Sequence, residues 1–296
     1  MYKELIKCKL CPKKCLVNRN IGELGFCHAG NKLKVAKAYL HMWEEPPITG
    51  KRGSGTIFFS NCNMRCIYCQ NYYIGEKGNG VEIDIDRFSQ ECLMLQKKGA
   101  TNINLVTPTH YVPIIIEGLK LAKEKGLNIP IVYNSSGYET VETIKSLDGI
   151  VDVYLPDFKY FDNNLSFKYT RCNDYFENAS AALEEMVKQK QECIFDKEGN
   201  ITSGVIVRHL LTPGNSEDSK KVLAYLYNKY HNDIYYSIMN QYTPVKTFKY
   251  EELNRTVSDR EYDEVIDYAW NLGIRNAFIQ EGGTQSDSFI PKWDFK

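Results

Sequence analysis

The sequence predicts an α/β fold: a partial, TIM-like (β/α)6 barrel with a small Cys-rich metal knuckle at its N-terminus. Two observations predict it. From residue 55 onward, short apolar runs rich in β-branched residues alternate with longer amphipathic ones. Before residue 50 the texture differs, being rich in Cys, Gly and Lys and poor in apolar runs, and it ends in Pro46-Pro47-Ile48-Thr49-Gly50. The first pattern is that of βα units, whose parallel strands need helical crossovers. The second is that of a segment too small to build its own core and held by metal instead. The expected division is 1–50 for the knuckle and 51–296 for the barrel.

The strands expected in order are Thr56–Ser60, Ile103–Thr107, Ile129–Tyr133, Val151–Leu155, Gly204–His209 and Ile234–Met239. Most are continuous apolar runs, as befits strands covered on both faces. The expected helices are Asp86–Lys98, Pro113–Lys125, Thr140–Leu147, Asn173–Lys190, Ser216–Tyr230 and Asp259–Leu272. Ile115, Leu119 and Ala122 recur at helical spacing. Gly126 reads as a helix stop, and Ser216 and Ser258 as N-caps. Six units fall short of a closed eight-unit barrel, so the expected barrel is partial. In such folds function sits on loops at the carboxyl ends of the strands.

Bulk properties narrow the function. The chain has 37 basic against 37 acidic residues among 296, so no global field points to nucleic acid and no acidic tail to disorder. No apolar run reaches the roughly 18 residues of a membrane span, and Met1 to Lys7 lacks the apolar stretch of a signal peptide. The expectation is a cytoplasmic protein with no membrane or nucleic-acid partner. In a reducing compartment ten cysteines read as metal or redox sites rather than disulfides. Seven fall in two groups: Cys8, Cys11, Cys15 and Cys27, then Cys62, Cys66 and Cys69. Cys92, Cys172 and Cys193 are scattered and read as packing residues.

The second group follows the first expected strand with spacing C-x3-C-x2-C. Three thiolates can hold three irons of a cubane cluster, where ordinary clusters use four. The fourth iron is left open, and S-adenosylmethionine (SAM) can chelate it through its amino and carboxylate groups. An electron from the cluster then cleaves the sulfonium and releases a 5′-deoxyadenosyl radical. The first group, C-x2-C-x3-C-x11-C, makes a closed four-thiolate set for zinc or an auxiliary [4Fe-4S] cluster.

The run Asn61-Cys62-Asn-Met-Arg-Cys66-Ile-Tyr68-Cys69-Gln-Asn71 resembles the signature of the radical SAM superfamily. Further stretches are similar to the pyruvate formate-lyase activating enzyme-like group and its PflX-type branch. They include Cys8-Lys-Leu-Cys11-Pro-Lys-Lys-Cys15, Glu44-Glu45-Pro46-Pro47-Ile48, Thr107-Pro-Thr-His110, Leu155-Pro-Asp-Phe-Lys-Tyr160 and Val207-Arg-His-Leu-Leu-Thr-Pro-Gly214. The resemblance implies Cys62, Cys66 and Cys69 as cluster ligands, with Tyr68 near the adenine and Asn71 in the same cofactor loop. It implies an oxidoreductase that uses SAM and a [4Fe-4S] cluster, with reduced flavodoxin or ferredoxin as electron donor. The target is a glycyl radical enzyme, another peptide or a small molecule.

Polar motifs at the other strand ends complete the candidate site. Asp157 and Lys159 alternate onto one face and match the D-x-K element that contacts SAM in activases. Thr107 and Thr109 stand where superfamily members carry Gly-Gly-Glu, and their hydroxyls are cofactor candidates. His110 is a candidate acid or base on the substrate side. Asn134 and Ser135 replace an Asp-Thr pair of the activases and are candidates for the ribose or a monovalent cation. Arg208 and His209 end the fifth strand, and only one of two adjacent strand residues faces inward. Arg208 suits a carboxylate, matches an arginine of the activase pattern, and is a candidate both for the cofactor and for catalysis. The reading from a different class is a cluster-carrying electron-transfer or sensor protein, which has no need of Asp157, Lys159 or the Asn134–Gly137 turn.

Overall fold

A computed structural model describes residues 1–280, Gln285 and Trp293. Ten strands alternate with nine α-helices among these residues. The strands are β1 (Leu33–His41), β2 (Ser54–Phe59), β3 (Val81–Ile83), β4 (Ile103–Val106), β5 (Ile131–Ser135), β6 (Val153–Pro156), β7 (Ile194–Phe195), β8 (Ile201–Leu210), β9 (Tyr235–Met239) and β10 (Ala277–Ile279). The helices are α1 (Pro46–Thr49), α2 (Tyr72–Gly75), α3 (Ile85–Lys97), α4 (Val112–Glu124), α5 (Val141–Lys145), α6 (Asn163–Thr170), α7 (Tyr175–Gln189), α8 (Ser216–Tyr230) and α9 (Asp259–Leu272).

The sheet order is β10-β9-β8-β6-β5-β4-β2-β1-β3, with β7 paired to β8. Along that order every neighbouring pair from β2 to β10 is parallel, and β7, off the path, is antiparallel to β8. The six expected βα units are therefore present in order, with β10 as a seventh parallel strand. One cavity is lined both by Phe58 of β2 and by Phe278 and Ile279 of β10. The sheet thus wraps around that cavity, with its carboxyl strand ends toward it.

β1 departs from the expected division at residue 50. It pairs antiparallel with β2 from Val35 to His41 and with β3 from Leu33 to Val35. The segment before it packs against the main core through Leu5, Leu10 and Ala29. β1 escaped the strand reading because its run, Leu-Lys-Val-Ala-Lys-Ala-Tyr-Leu-His, is interrupted by lysines, and most of its residues are only half-buried.

Local chemistry fixes the helix ends. Ser258 and Glu261 form a reciprocal capping box at α9, and Gly273 ends the helix in the left-handed region at φ 105°. Asp84 and Thr140 cap α3 and α5. Ser216 is the first helical residue of α8, and the cap position belongs to Asn215, whose side chain makes no cap bond; the expected Ser216 cap is corrected accordingly.

Candidate functional site

The loop after β2 is shaped by backbone strain. Asn61 and Arg65 adopt positive φ, 75° and 57°, without being glycine. The Asn61 N–H donates to Ile74 O at 2.8 Å, tying the loop to α2, and the Cys69 N–H donates to Cys66 O at 3.1 Å. This places Cys62, Cys66 and Cys69 together on the wall of a cavity of about 350 Å³. The thiols sense one another. Burial pushes Cys66 well up and Cys69 up to about 12, and each is opposed by the ammonium of Lys159. Thiols with raised values stay neutral and inert until a metal deprotonates them. The donor set fits a cubane cluster: three soft ligands, a polar cavity beside them, and a buried cation to offset their charge.

Opposite the thiols lies a buried ionic network. Alternation holds along β6 and the residues after it: Asp157 and Lys159 line the cavity, while Phe158 packs outward against Tyr175, Phe176 and Tyr225. Lys159 Nζ donates to Asp157 Oδ2 at 2.6 Å, and Arg208 Nε donates to Asp157 Oδ1 at 3.1 Å. Arg208 also donates to Asn134 Oδ1 at 2.6 Å and to Glu44 Oε2 at 3.4 Å. Burial alone would raise the Asp157 carboxyl, but Lys159 and Arg208 outweigh it and hold it below the usual carboxylate value. His209 points the other way, its Nδ1 2.7 Å from Phe158 O.

Of the expected cofactor residues, Tyr68, Asn71, Thr107, Asn134, Ser135, Asp157, Lys159 and Arg208 line the cavity. Tyr68 is also hydrogen-bonded through its hydroxyl to Tyr160. Asn134 and Ser135 end β5 itself, pairing with Leu155 and Pro156, rather than forming a turn after it. Behind them Gly137, at φ 74°, leaves no room: a Cβ there would stand 2.1 Å from Asp157 O. Gly137→Ala is therefore expected to destabilise the fold by about 2–3 kcal/mol, read from urea unfolding, since both the backbone angle and the space are denied.

Thr109 and His110 are not brought into the cavity. Thr107 takes a positive φ of 60° and turns the chain into a 3-10 helix at Thr109–Tyr111. Thr109 is buried behind the wall, donating to Glu139 at 2.6 Å. His110 is buried with Nε2 2.9 Å from Ser60 O and, as a backbone acceptor, takes a bond from Arg19. The catalytic candidacy of His110 is corrected on this ground: its ring supports the strand before the cysteine loop. Burial lowers His41 to about 4, His110 to about 3 and His209 to about 4. Each therefore contributes stability that is complete above its unfolded value near 6.5 and is lost as pH falls below it. The melting temperature is expected to drop by at least 5 °C between pH 7 and pH 5; His110→Gln should flatten that slope.

The N-terminal thiols form a second group. Cys8, Cys11 and Cys27 are buried and Cys15 is half-buried. Burial raises Cys11, with Cys27, Glu139 and Cys8 adding to it, and raises Cys27, where Cys8 and Cys15 add and Arg19 opposes. Arg19, 1% exposed, reaches Cys8 Sγ at 3.8 Å and donates to the backbone of Gly30 and His110. The group abuts the first: Phe26 lies between Lys13 and Arg65, at 4.5 and 5.1 Å. Among the described residues no three Cys, His, Asp or Glu side chains are gathered for a single metal ion. A cubane distributes its thiolates over separate irons and needs no such common point. A zinc ion would require the N-terminal four to draw together.

Residues not named as site candidates from the sequence also line the cavity, chiefly Glu44, Glu45 and Ser237. The Ser237/Met239 alternation at the end of β9 could have revealed Ser237. The carboxylate pair before Pro46-Pro47 was visible as a motif but carried no positional signal.

Comparison with known proteins accords with this geometry. The family model described as the radical SAM superfamily matches residues 56–226, more than half of the chain. An uncharacterized protein of Methanocaldococcus jannaschii is 29% identical over 284 residues, covering 90% of this chain and 76% of that protein. Among solved structures, Streptococcus suis SuiB bound to S-adenosylmethionine aligns with TM-score 0.52 at 12% identity, over 75% of this chain and 49% of that one. HydG, a maturase of the [FeFe]-hydrogenase, aligns with TM-score 0.52 at 14% identity, over 74% and 49%. The chain thus spans about half the length of these structures, and the likeness is one of fold.

Proposed function

The chain belongs to the radical SAM superfamily, and from that membership we propose that the cavity beside Cys62, Cys66 and Cys69 is its site for SAM and substrate. The chemistry the bound groups supply is reductive cleavage of SAM at a [4Fe-4S] cluster to methionine and a 5′-deoxyadenosyl radical, which abstracts hydrogen from a substrate. The observation that carries the reading is the convergence of three thiols, Lys159 and Asp157 on one cavity. Cys62, Cys66 and Cys69 would hold the cluster. Lys159 would hold the SAM carboxylate, and Asp157 its ammonium or a hydroxyl. Asn134, Ser135 and Tyr68 would seat the nucleoside, with Arg208 fixing Asp157 and Asn134 in place. The strand-end network also argues against the electron-carrier reading, which needs none of it.

Reduced flavodoxin or ferredoxin is the proposed electron donor. Hydrogen abstraction from a glycine of a partner enzyme, the activase reaction, draws on the Asp157-Phe158-Lys159 element. It is tested by a glycyl radical signal on the partner chain after incubation with SAM and reductant. The test of the site itself is electron paramagnetic resonance of the reduced, reconstituted protein. Adding SAM should shift the cluster signal, because SAM would occupy the open iron; an unchanged signal with SAM in excess would rule out that site.

We further propose that Cys8, Cys11, Cys15 and Cys27 hold a second metal centre, zinc or a cluster, with Arg19 as its buried counter-charge. Cys11→Ser is expected to remove one metal equivalent and expose residues 1–32 to limited proteolysis. The check is elemental analysis beside mass spectrometry of the digest.

A further inference from the structure

The segment Glu44–Gly50 folds inward beneath the cavity. Ile48, fully buried, packs with Val132, Val153, Leu155 and Ile206 inside the strands. Its carbonyl accepts from Asn102 at 2.7 Å, and Thr101 donates to Thr49 O at 3.1 Å. Both partners lie at the amino end of β4, so α1 closes the bottom of the barrel. Glu44 and Glu45, just before it, line the cavity from this closed end, across from the open mouth.

Among the described residues the charges lining the cavity do not balance: the carboxylates are Glu44, Glu45 and Asp157, and the cations are Lys159 and Arg208. His41, the one lining histidine among the described residues, is kept neutral by burial. Lys159 is committed to Asp157, and Arg208 donates to Asp157 and Glu44 and acts on Glu45 only through its charge, with no hydrogen bond to it. Glu44 has a further donor in Asn104 at 3.0 Å. Glu45 is 8% exposed; the charge of Arg208, its own backbone N–H and the Ser237 hydroxyl favour its ionised form, yet its Oε2 has no hydrogen-bond partner. Burial raises both glutamates. A buried carboxylate oxygen without a donor costs the full desolvation of that group, and a cationic donor recovers it with the strongest class of hydrogen bond.

We propose that Glu45 is the anchor of a substrate subsite that takes an ammonium or guanidinium group at the closed end of the cavity. The proposal rests on the reading of this cavity as the site of SAM and substrate. A cationic group docked at Glu45 closes the charge balance and satisfies Oε2. It also holds the rest of the substrate between the floor and the thiol wall. The source of the cation is a free amine or guanidine, or a lysine or arginine side chain of a peptide.

The test uses reconstituted holoprotein saturated with SAM, titrated by calorimetry. The probes are butylammonium and butylguanidinium, with 1-butanol and butanoate as neutral and anionic controls, and a blocked Ala-Ala-Arg-Ala-Ala peptide. Wild type should bind the cations at least tenfold more tightly than either control. Glu45→Gln should erase that preference, and Glu45→Asp should restore part of it. Tighter binding of the peptide than of butylguanidinium assigns the cation to a peptide side chain, and the reverse to a small molecule. No preference in wild type overturns the proposal, as does a preference that survives in Glu45→Gln. A preference seen without SAM but lost on SAM saturation also overturns it, since the carboxylate then serves SAM itself. The wild-type comparison decides even if the variants fail to fold. SAM cleavage by the wild type, assayed in parallel, separates the two readings. Cation preference without cleavage fails the SAM site alone, and cleavage without preference fails the Glu45 subsite alone.

Discussion

Replacing Cys62, Cys66 and Cys69 together with alanine is expected to remove one [4Fe-4S] cluster per chain and to reduce SAM cleavage to background. The physical ground is that the three thiols line one cavity and that Cys66 and Cys69 face the same buried ammonium, Lys159. Burial raises Cys66 and Cys69, so as free thiols these two offer no chemistry of their own, and a metal must supply the compensation that deprotonates them. The triple variant removes polar atoms from a partly apolar wall without stranding a charge. The protein should therefore stay folded, with residues 1–32 unchanged in circular dichroism and in proteolysis. Iron and sulfide analysis after anaerobic reconstitution checks the result. A variant that keeps the cluster and its SAM-responsive signal would place the ligands elsewhere.

Asp157→Ala is expected to carry the second largest effect, and it should act on stability as well as binding. Asp157 receives Lys159 at 2.6 Å and Arg208 at 3.1 Å, with the side chains of all three at most 16% exposed. Removing the carboxylate leaves two buried cations side by side, which costs on the order of 3–5 kcal/mol, as for breaking other buried pairs. SAM affinity should fall roughly tenfold or more. Lys159→Ala makes the contrast. Asp157 keeps Arg208, so the stability loss should be about 1–2 kcal/mol while SAM affinity falls similarly. Urea unfolding of the apoprotein and calorimetry with SAM separate the two effects. Equal stability losses in the two variants would show that Arg208 does not hold Asp157.

Legibility in the sequence followed range. The six parallel strands were readable because each is a local apolar run bounded by turn residues. The inward pair Asp157 and Lys159 was readable because alternation is a local rule. For Arg208 and His209 the same rule says only that one faces inward, and Arg208 was favoured by its chemistry and its match to the activase pattern. β1 was not readable: its lysine-broken run becomes a strand only by pairing with β2 and β3 on either side. Asn134 and Ser135 read as a turn on polarity, yet they continue β5 because their side chains line a polar cavity instead of an apolar core. Thr109 and His110 were misplaced because proximity to a strand end says nothing of the positive φ at Thr107, which turns the chain behind the wall. Glu44 and Glu45 were missed for the opposite reason. They enter the site from before the first parallel strand, through a fold-back whose contacts to Asn104 and Arg208 span 60 and 164 residues.

SAM cleavage is measured most directly by product analysis of SAM incubated anaerobically with the reconstituted, dithionite-reduced wild-type protein. Slow formation of 5′-deoxyadenosine and methionine in equal amounts is expected, absent without reductant and absent from the Cys62/Cys66/Cys69→Ala variant. A fully loaded, reducible cluster that yields no 5′-deoxyadenosine would contradict SAM cleavage and leave a protein that carries electrons only.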